Sequence, residues 1–115
     1  MFKLVKMTEM KSINWPVMVS VPQDGGNVMK YSFTADFNLL SGPDFQAIYN
    51  KGGNDEDLLR SVVVGFGADL QDQQGAVIPF SAENLEAVIA VPYVRGAMVN
   101  AYLDLSNGRK ASTKN

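Results

Sequence analysis

The chain predicts an α+β fold in which an N-terminal β-hairpin packs on a bundle of three to four short helices. Two observations predict it. Apolar and polar residues alternate on both sides of a glycine-rich turn within residues 13–37, whereas residues 41–108 repeat capping signals that are followed by apolar residues at helical spacing. Since a lone hairpin is only marginally stable in water, helices are expected to cover its apolar face.

The predicted hairpin has strands at roughly 13–21 and 28–37, and its turn, Asp24-Gly25-Gly26, supplies positive φ angles. A side-chain period of two places alternate residues of each strand on one face. Those residues are Trp15, Val17, Val19, Val21, Met29, Tyr31, Phe33, Ala35 and Phe37. The buried face of the first strand stays open, because Val17 and Met18 are both apolar and point in opposite directions.

Two helices are predicted next. Ser41 can cap the first, which would stop at Gly52-Gly53, and Asn54 can cap the second, which would have acidic residues in its first turn. The first helix carries Phe45, Ile48 and Tyr49. The second carries Leu58, Leu59, Val62, Val63 and Phe66, which share one helical face. The β-branched run 62–64 could instead form a strand, but capping and spacing favour helix.

The remaining chain predicts a loop or minor hairpin over residues 67–79 and then two further helices. Ser81 can cap the third helix, Phe80 is placed to pack on Leu85 or a neighbour as a hydrophobic staple, and Pro92 ends or kinks the helix. The apolar stripe of the last helix comprises Val94, Ala97, Met98, Ala101, Tyr102 and Leu105. Gly108 is placed to be its C-cap.

A single domain is expected, with a poorly defined segment at 1–11 and a mobile polar tail at 109–115. The predicted core comprises Trp15 or its strand face, Phe33, Phe37, Leu58, Val62, Leu85, Ile89, Met98 and Leu105.

Composition excludes several classes of function. The chain has no Cys and no His, which removes disulfides, thiolate or histidine-based nucleophiles and zinc sites built on those residues. A net charge of −2 argues against non-specific nucleic-acid binding. No run of about 18 apolar residues predicts a membrane span. The start of the chain also lacks the apolar run of a signal peptide, so a reducing cytosol is expected.

Acidic residues offer the only metal candidates in the sequence. Asp55-Glu56-Asp57 could hold a hard cation, but a helix N-terminus that favours negative charge explains them better. Asp69, Asp72 and Gly75 do not form a calcium loop, because Phe80 occupies the position of the terminal Glu. The sequence therefore predicts no catalytic residue, no metal and no cofactor.

The chain resembles the small tail assembly chaperones of long-tailed bacteriophages and prophages over about residues 12–115. The resemblance rests on the order and spacing of several motifs: WPVxVxVPxDGG at 15–26, YxFTAxF at 31–37, DEDLLRxVVVGF at 55–66, PFSxENL at 79–85 and PYVRxA at 92–97. Family members frequently have Trp in place of Phe66.

The resemblance implies a non-catalytic role in the host bacterial cytoplasm. Such proteins coat the tape-measure protein before the tail tube polymerises, and they are not expected in the mature virion. A frameshift-extended form would recruit the tail tube protein, and a homo-oligomer is possible. Neither nucleic acid nor a membrane is an expected partner.

Partner-binding residues are expected among the large apolar side chains of the helical half. The candidates are Phe66, Phe80, Tyr93, Met98 and Tyr102. The alternative is that most of them belong to the core, because aromatic and Met side chains are commonly buried.

The tail carries a further hypothesis. Thr113-Lys114-Asn115 can be encoded as A-AAA-AAC or A-AAA-AAU across the last base of the Thr codon, a string on which both tRNAs can slip back by one base. An ordinary frayed terminus is the alternative.

Two other functions remain open at the level of sequence. One is a structural virion protein, such as a tail tube or connector subunit, although such subunits usually contain more strands. The other is a metal-dependent enzyme that uses Asp55, Glu56, Asp57 or Asp69.

Overall fold

A computed structural model describes residues 1–112, and its four α-helices and three-stranded antiparallel sheet confirm the α+β class. The strands are β1 (Ile13–Pro22), β2 (Val28–Phe37) and β3 (Val63–Phe66), in the order β1-β2-β3. The helices are α1 (Gly42–Asn50), α2 (Asp55–Val62), α3 (Ala82–Ile89) and α4 (Pro92–Ser106). Helix α4 packs on β1, so helices cover the hairpin as predicted. The slippery-codon hypothesis falls on residues 113–115, which lie outside the described residues.

The register of the hairpin decides which face of β1 is buried. Val17 pairs with Phe33 and Trp15 pairs with Ala35 across the two strands. Val17, Phe33 and Ala35 are all buried, whereas Met18 is only half-buried. The odd-numbered residues of both strands therefore face the core, and the even-numbered residues form the outer face. The predicted turn is present, with positive φ at Gly25 and Gly26.

The prediction that α2 continues to Phe66 is wrong. The helix ends at Val62, and Val63–Phe66 form β3, which pairs with β2 across a bulge at Asp36 and Phe37. The physical reason is that β2 offers an open edge, and a β-branched run satisfies its backbone groups better as a strand than as a helix end. The Asn38 amide donates to the Val62 carbonyl at 2.8 Å, at the point where α2 ends and β3 begins.

The three predicted side-chain caps are all formed. Ser41 accepts from the Asp44 amide, and Ser81 accepts from the Asn84 amide. Asn54 makes a reciprocal capping box with Asp57, which satisfies two backbone donors at once. At the far end of the chain, Gly108 takes a positive φ, and the Arg109 amide donates to the Asp104 carbonyl, so α4 ends in the predicted glycine cap.

The fold has one hydrophobic core, which lies against the inner face of the sheet. Most of the predicted core residues are fully buried, namely Phe33, Phe37, Leu58, Val62, Leu85, Ile89 and Met98. Trp15 and Leu105 are only partly buried and pack at its margin. Val17, Val19, Leu59 and Tyr102 complete the centre.

A close approach of two backbones fixes the exit from β3. The Gly67 amide donates to the Thr34 carbonyl at 2.7 Å, and a Cβ at Gly67 would overlap the Thr34 hydroxyl. The Asp69 carboxylate accepts from both the Thr34 amide and the Thr34 hydroxyl, at 2.9 and 3.0 Å. Only glycine fits at position 67 without moving the strand.

The substitution Gly67→Ala is therefore expected to lower the free energy of unfolding by about 1–3 kcal/mol, the usual cost of overpacking. Gly96→Ala is the matched control, because Gly96 lies exposed in α4 and an added Cβ would meet no neighbouring atom within 4 Å. That change should stabilise the fold by about 0.5–1 kcal/mol through helix propensity. Urea denaturation of both variants measures the difference, and equal effects would contradict the close approach.

Candidate functional site

An open groove of about 1050 Å³ lies beside the turn end of the hairpin. Its floor is formed by Val19 and Val21 of β1 and by Tyr31 and Phe33 of β2. Val21 and Tyr31 supply the accessible surface of this floor, because Val19 and Phe33 are buried. The groove is bounded by the loop after β3 on one side and by α3 and the start of α4 on the other. Most of its surface is apolar, which is the usual composition of a protein or peptide contact site.

The loop wall is a short hairpin, as the sequence predicts for residues 67–79. Gln71 forms an isolated bridge with Val77, and the Asp72 carboxylate accepts from the Gln74 and Ala76 amides at 2.9 and 3.0 Å. The Ile78 amide donates to the Leu70 carbonyl at 2.9 Å. This ladder places the side chains of Leu70 and Ile78 together along the groove.

The helical wall depends on the break between α3 and α4. Helix α3 ends at Ile89, and Pro92 begins α4, so the chain turns at Val91. The Val91 carbonyl accepts from the Val94 and Arg95 amides, which starts the new helix. The turn presents Val88, Tyr93 and Val94 to the groove, and Tyr93 remains 42% exposed.

The rim of the groove is negatively charged. Asp69 and Asp72 both line it, and each already accepts backbone hydrogen bonds through one carboxylate oxygen. Among residues 1–112, neither carboxylate forms an ion pair. An occupant with basic side chains beside its apolar surface would therefore complement this rim.

Of the five candidate contact residues, Tyr93 alone lines the groove. Phe66 and Phe80 form a separate aromatic pair, with ring centroids 5.0 Å apart in an edge-on arrangement. Phe80 is 41% exposed, and its observed ring partner belongs to β3. The two rings therefore form a separate apolar patch outside the residues that line the groove.

Met98 and Tyr102 are fully buried and cannot contact a partner in this fold. The Tyr102 ring stacks on Phe45 and lies tilted against Phe37, and its hydroxyl accepts from the Leu40 amide at 3.0 Å. Both positions lie on the predicted apolar stripe of α4, whereas exposed Tyr93 lies off that stripe. Both residues serve the core.

Sequence reasoning misses most of the groove. It assigns Val21 and Tyr31 only to the apolar face of the hairpin, and it singles out neither Leu70 nor Ile78. The length of the predicted strands is the one signal in the sequence that could have indicated a groove. The apolar face of the hairpin is longer than a single packed helix can cover.

Arg60 ties α2 to α3 and so fixes the position of the helical wall. Its guanidinium donates to both carboxylate oxygens of Glu86, at 2.7 and 2.8 Å, and to Asp57 at 2.9 Å. The hydrogen bond from Arg60 holds the pKa of Glu86 below its ordinary value, and the same contacts raise the pKa of Arg60. The pair is exposed, so its strength is limited by solvent screening.

The acidic cluster at the start of α2 is occupied by structural contacts. Asp57 closes the capping box, Glu56 pairs with Arg95 at 3.4 Å, and Asp55 accepts from the Tyr49 hydroxyl at 2.9 Å. Burial, aided by Asp55, raises the pKa of Tyr49 to about 12. Within residues 1–112 no group of three acidic side chains is arranged to hold a metal ion.

No helix within residues 1–112 is both long and apolar enough to cross a membrane. In comparisons with known proteins, the chain matches no protein-family model, no curated protein and no solved structure.

The substitution Glu86→Gln should lower stability at pH 7 and have less effect in acid. The pKa of Glu86 is lower in the folded chain than its ordinary value of 4.5. The ionised Glu86 side chain therefore stabilises the fold above pH 4.5, and this stabilisation is lost as the pH falls through the pKa of the folded state. Urea midpoints of the wild type and the variant, measured from pH 7 down to pH 3, should converge at the acid end. A pH-independent gap would contradict the ion-pair explanation.

The substitution Tyr102→Phe should lower the free energy of unfolding by about 0.5–1.5 kcal/mol, because the partly buried Leu40 amide loses its acceptor. Tyr93→Phe is the control, since Tyr93 is exposed and its loss of a hydroxyl should change stability by less than about 0.5 kcal/mol. Thermal unfolding of both variants checks the assignment of Tyr102 to the core.

Proposed function

We propose that this chain is a non-catalytic tail assembly chaperone that binds a phage tape-measure protein in the host bacterial cytoplasm. The motif order along residues 12–115 supports the family, and the observation that carries the proposal is the open apolar groove with Tyr93 on its wall. A chaperone of this kind must cover apolar surface on a long client, which requires apolar surface of its own.

The groove suits an amphipathic helix. Such helices bind by laying an apolar face, spaced i, i+3, i+4 and i+7, into an apolar groove. Val21, Ile78 and Val88 supply branched aliphatic surface, while Asp69 and Asp72 favour basic residues at the edge of the apolar stripe. The proposed client surface is thus a helical stripe of apolar residues with Lys or Arg beside it.

Other partners belong to the same proposal. Several copies would line a long client, and a frameshift-extended form would recruit the tail tube protein. The codons of Thr113 and Lys114 test the extended form first, because a Lys114 codon of AAG or a Thr113 codon ending in C removes the slip site.

The test is co-expression of the tape-measure protein with the wild-type chain or with Tyr93→Glu. A charge in the apolar wall should reduce the soluble fraction of the client severalfold, since burying an unpaired carboxylate is costly. Val28→Glu is the matched control, because Val28 is exposed at the hairpin turn and does not line the groove.

A client that is equally soluble without this chain would overturn the proposal. If the Tyr93→Glu variant keeps the client as soluble as the wild type does, the client binds another surface. The patch of Phe66 and Phe80 would then be tested next. Recovery of the chain from purified particles in stoichiometric amounts would favour a tube or connector subunit instead, and specific divalent-ion binding would favour a metal-dependent enzyme.

A further inference from the structure

The first seven residues form a second apolar surface, and within the described residues 1–112 none of their side chains packs on the hydrophobic core. Residues 1–6 have no regular secondary structure, and Phe2 and Leu4 are 83% and 87% exposed. Val5 and Met7 are also exposed. A short segment that keeps several large apolar side chains in water is a mark of a contact site rather than of a solvated tail.

The chemistry of this segment complements the groove. In MFKLVKM, two basic residues, Lys3 and Lys6, are interspersed among apolar ones. The groove offers an apolar floor with Asp69 and Asp72 at its rim. Among residues 1–112, neither lysine and neither aspartate has an ion-pair partner. The two surfaces therefore match in both apolarity and charge.

The segment of the same chain cannot fill this groove. It is anchored at the opposite end of the hairpin, where the Met10 carbonyl accepts from the Leu39 amide and the Ser12 amide donates to Asn38. From Ile13 to Val21 the strand rises roughly 25 Å. Met7–Glu9 form a 3-10 turn, which shortens the path. The residues before it span at most about 20 Å, too little to seat Phe2 and Leu4 beside Val21.

We infer that residues 1–7 of one copy dock in the groove of a second copy, so that two chains associate by exchanging their N-terminal segments. Phe2 and Leu4 would contact the apolar floor, and Lys3 and Lys6 would meet the rim carboxylates. The inference uses the groove that the proposed function assigns to a client, and a client helix would compete with the segment. Its test uses no client, so either proposal can fail while the other stands.

The experiment is sedimentation velocity of the purified chain, with any tag at the C-terminus, at up to about 100 µM, where a micromolar dimer is fully formed. The segment variant carries Phe2→Ser and Leu4→Ser, and the groove variant carries Tyr93→Glu. Each should weaken dimerisation by about a hundredfold or more, because apolar burial is lost or a carboxylate is buried. Val28→Glu, which changes another exposed residue outside the groove, should dimerise like the wild type.

Mixing the two variants gives the decisive result. The segment variant keeps an intact groove and the groove variant keeps an intact segment, so an equimolar mixture should regain a dimer with one occupied groove. A charge reversal, Lys3→Glu with Lys6→Glu, should also weaken the dimer, whereas the same change at two other exposed lysines, Lys11 and Lys51, should not.

Three outcomes would overturn the inference. They are a wild-type chain that stays monomeric throughout the concentration range, a dimer that both variants leave intact, and a mixture of variants that remains monomeric. Circular dichroism of each variant shows that the fold is retained, which is expected because Phe2, Leu4 and Tyr93 are all exposed.

Discussion

The contact between β3 and the last residues of β2 is the constraint on which the groove depends. Where the Gly67 amide meets the Thr34 carbonyl, the chain leaves the sheet, and Asp69 then binds the same residue of β2. The loop that follows is thereby held beside the sheet instead of crossing it. The loop therefore forms one wall of the groove beside Val21 and Tyr31, while α4 packs on β1.

The features that could be predicted from the sequence are those decided within a few residues. Ser41, Asn54 and Ser81 cap helices through their own neighbours, and the Asp-Gly-Gly turn fixes the hairpin locally. Val63 is different, because its spacing predicts a helix but it forms a strand. Pairing with Phe37 on the edge of β2, far away in the sequence, decides its structure. Tyr93 is among the predicted contact residues only because it is a large apolar side chain of the helical half. The groove as a whole could not be predicted, because its walls come from segments that meet only in the folded chain.

The burial of Met98 and Tyr102 illustrates the limit of pattern reasoning on a helix. Both residues lie on the apolar stripe of α4, as does partly buried Val94, which lines the groove. One stripe therefore serves two purposes. Its start, beside Tyr93, borders the groove, while its middle and end pack against β1 and the rings of Phe37 and Phe45. Residue spacing identifies the apolar stripe. Only the position of the sheet in the folded chain shows which part of the stripe borders the groove and which part is buried.

The two walls of the groove are held by contacts of different kinds. The loop wall rests on backbone hydrogen bonds and on the two hydrogen bonds that Thr34 donates to Asp69. The helical wall rests on the core, because Leu85 and Ile89 of α3 are buried, and the exposed pair of Arg60 and Glu86 adds a solvent-screened tie to α2. A groove whose walls are both held in place before binding lowers the ordering cost of an occupant. That property would serve the proposed client contact and the proposed exchange of N-terminal segments alike.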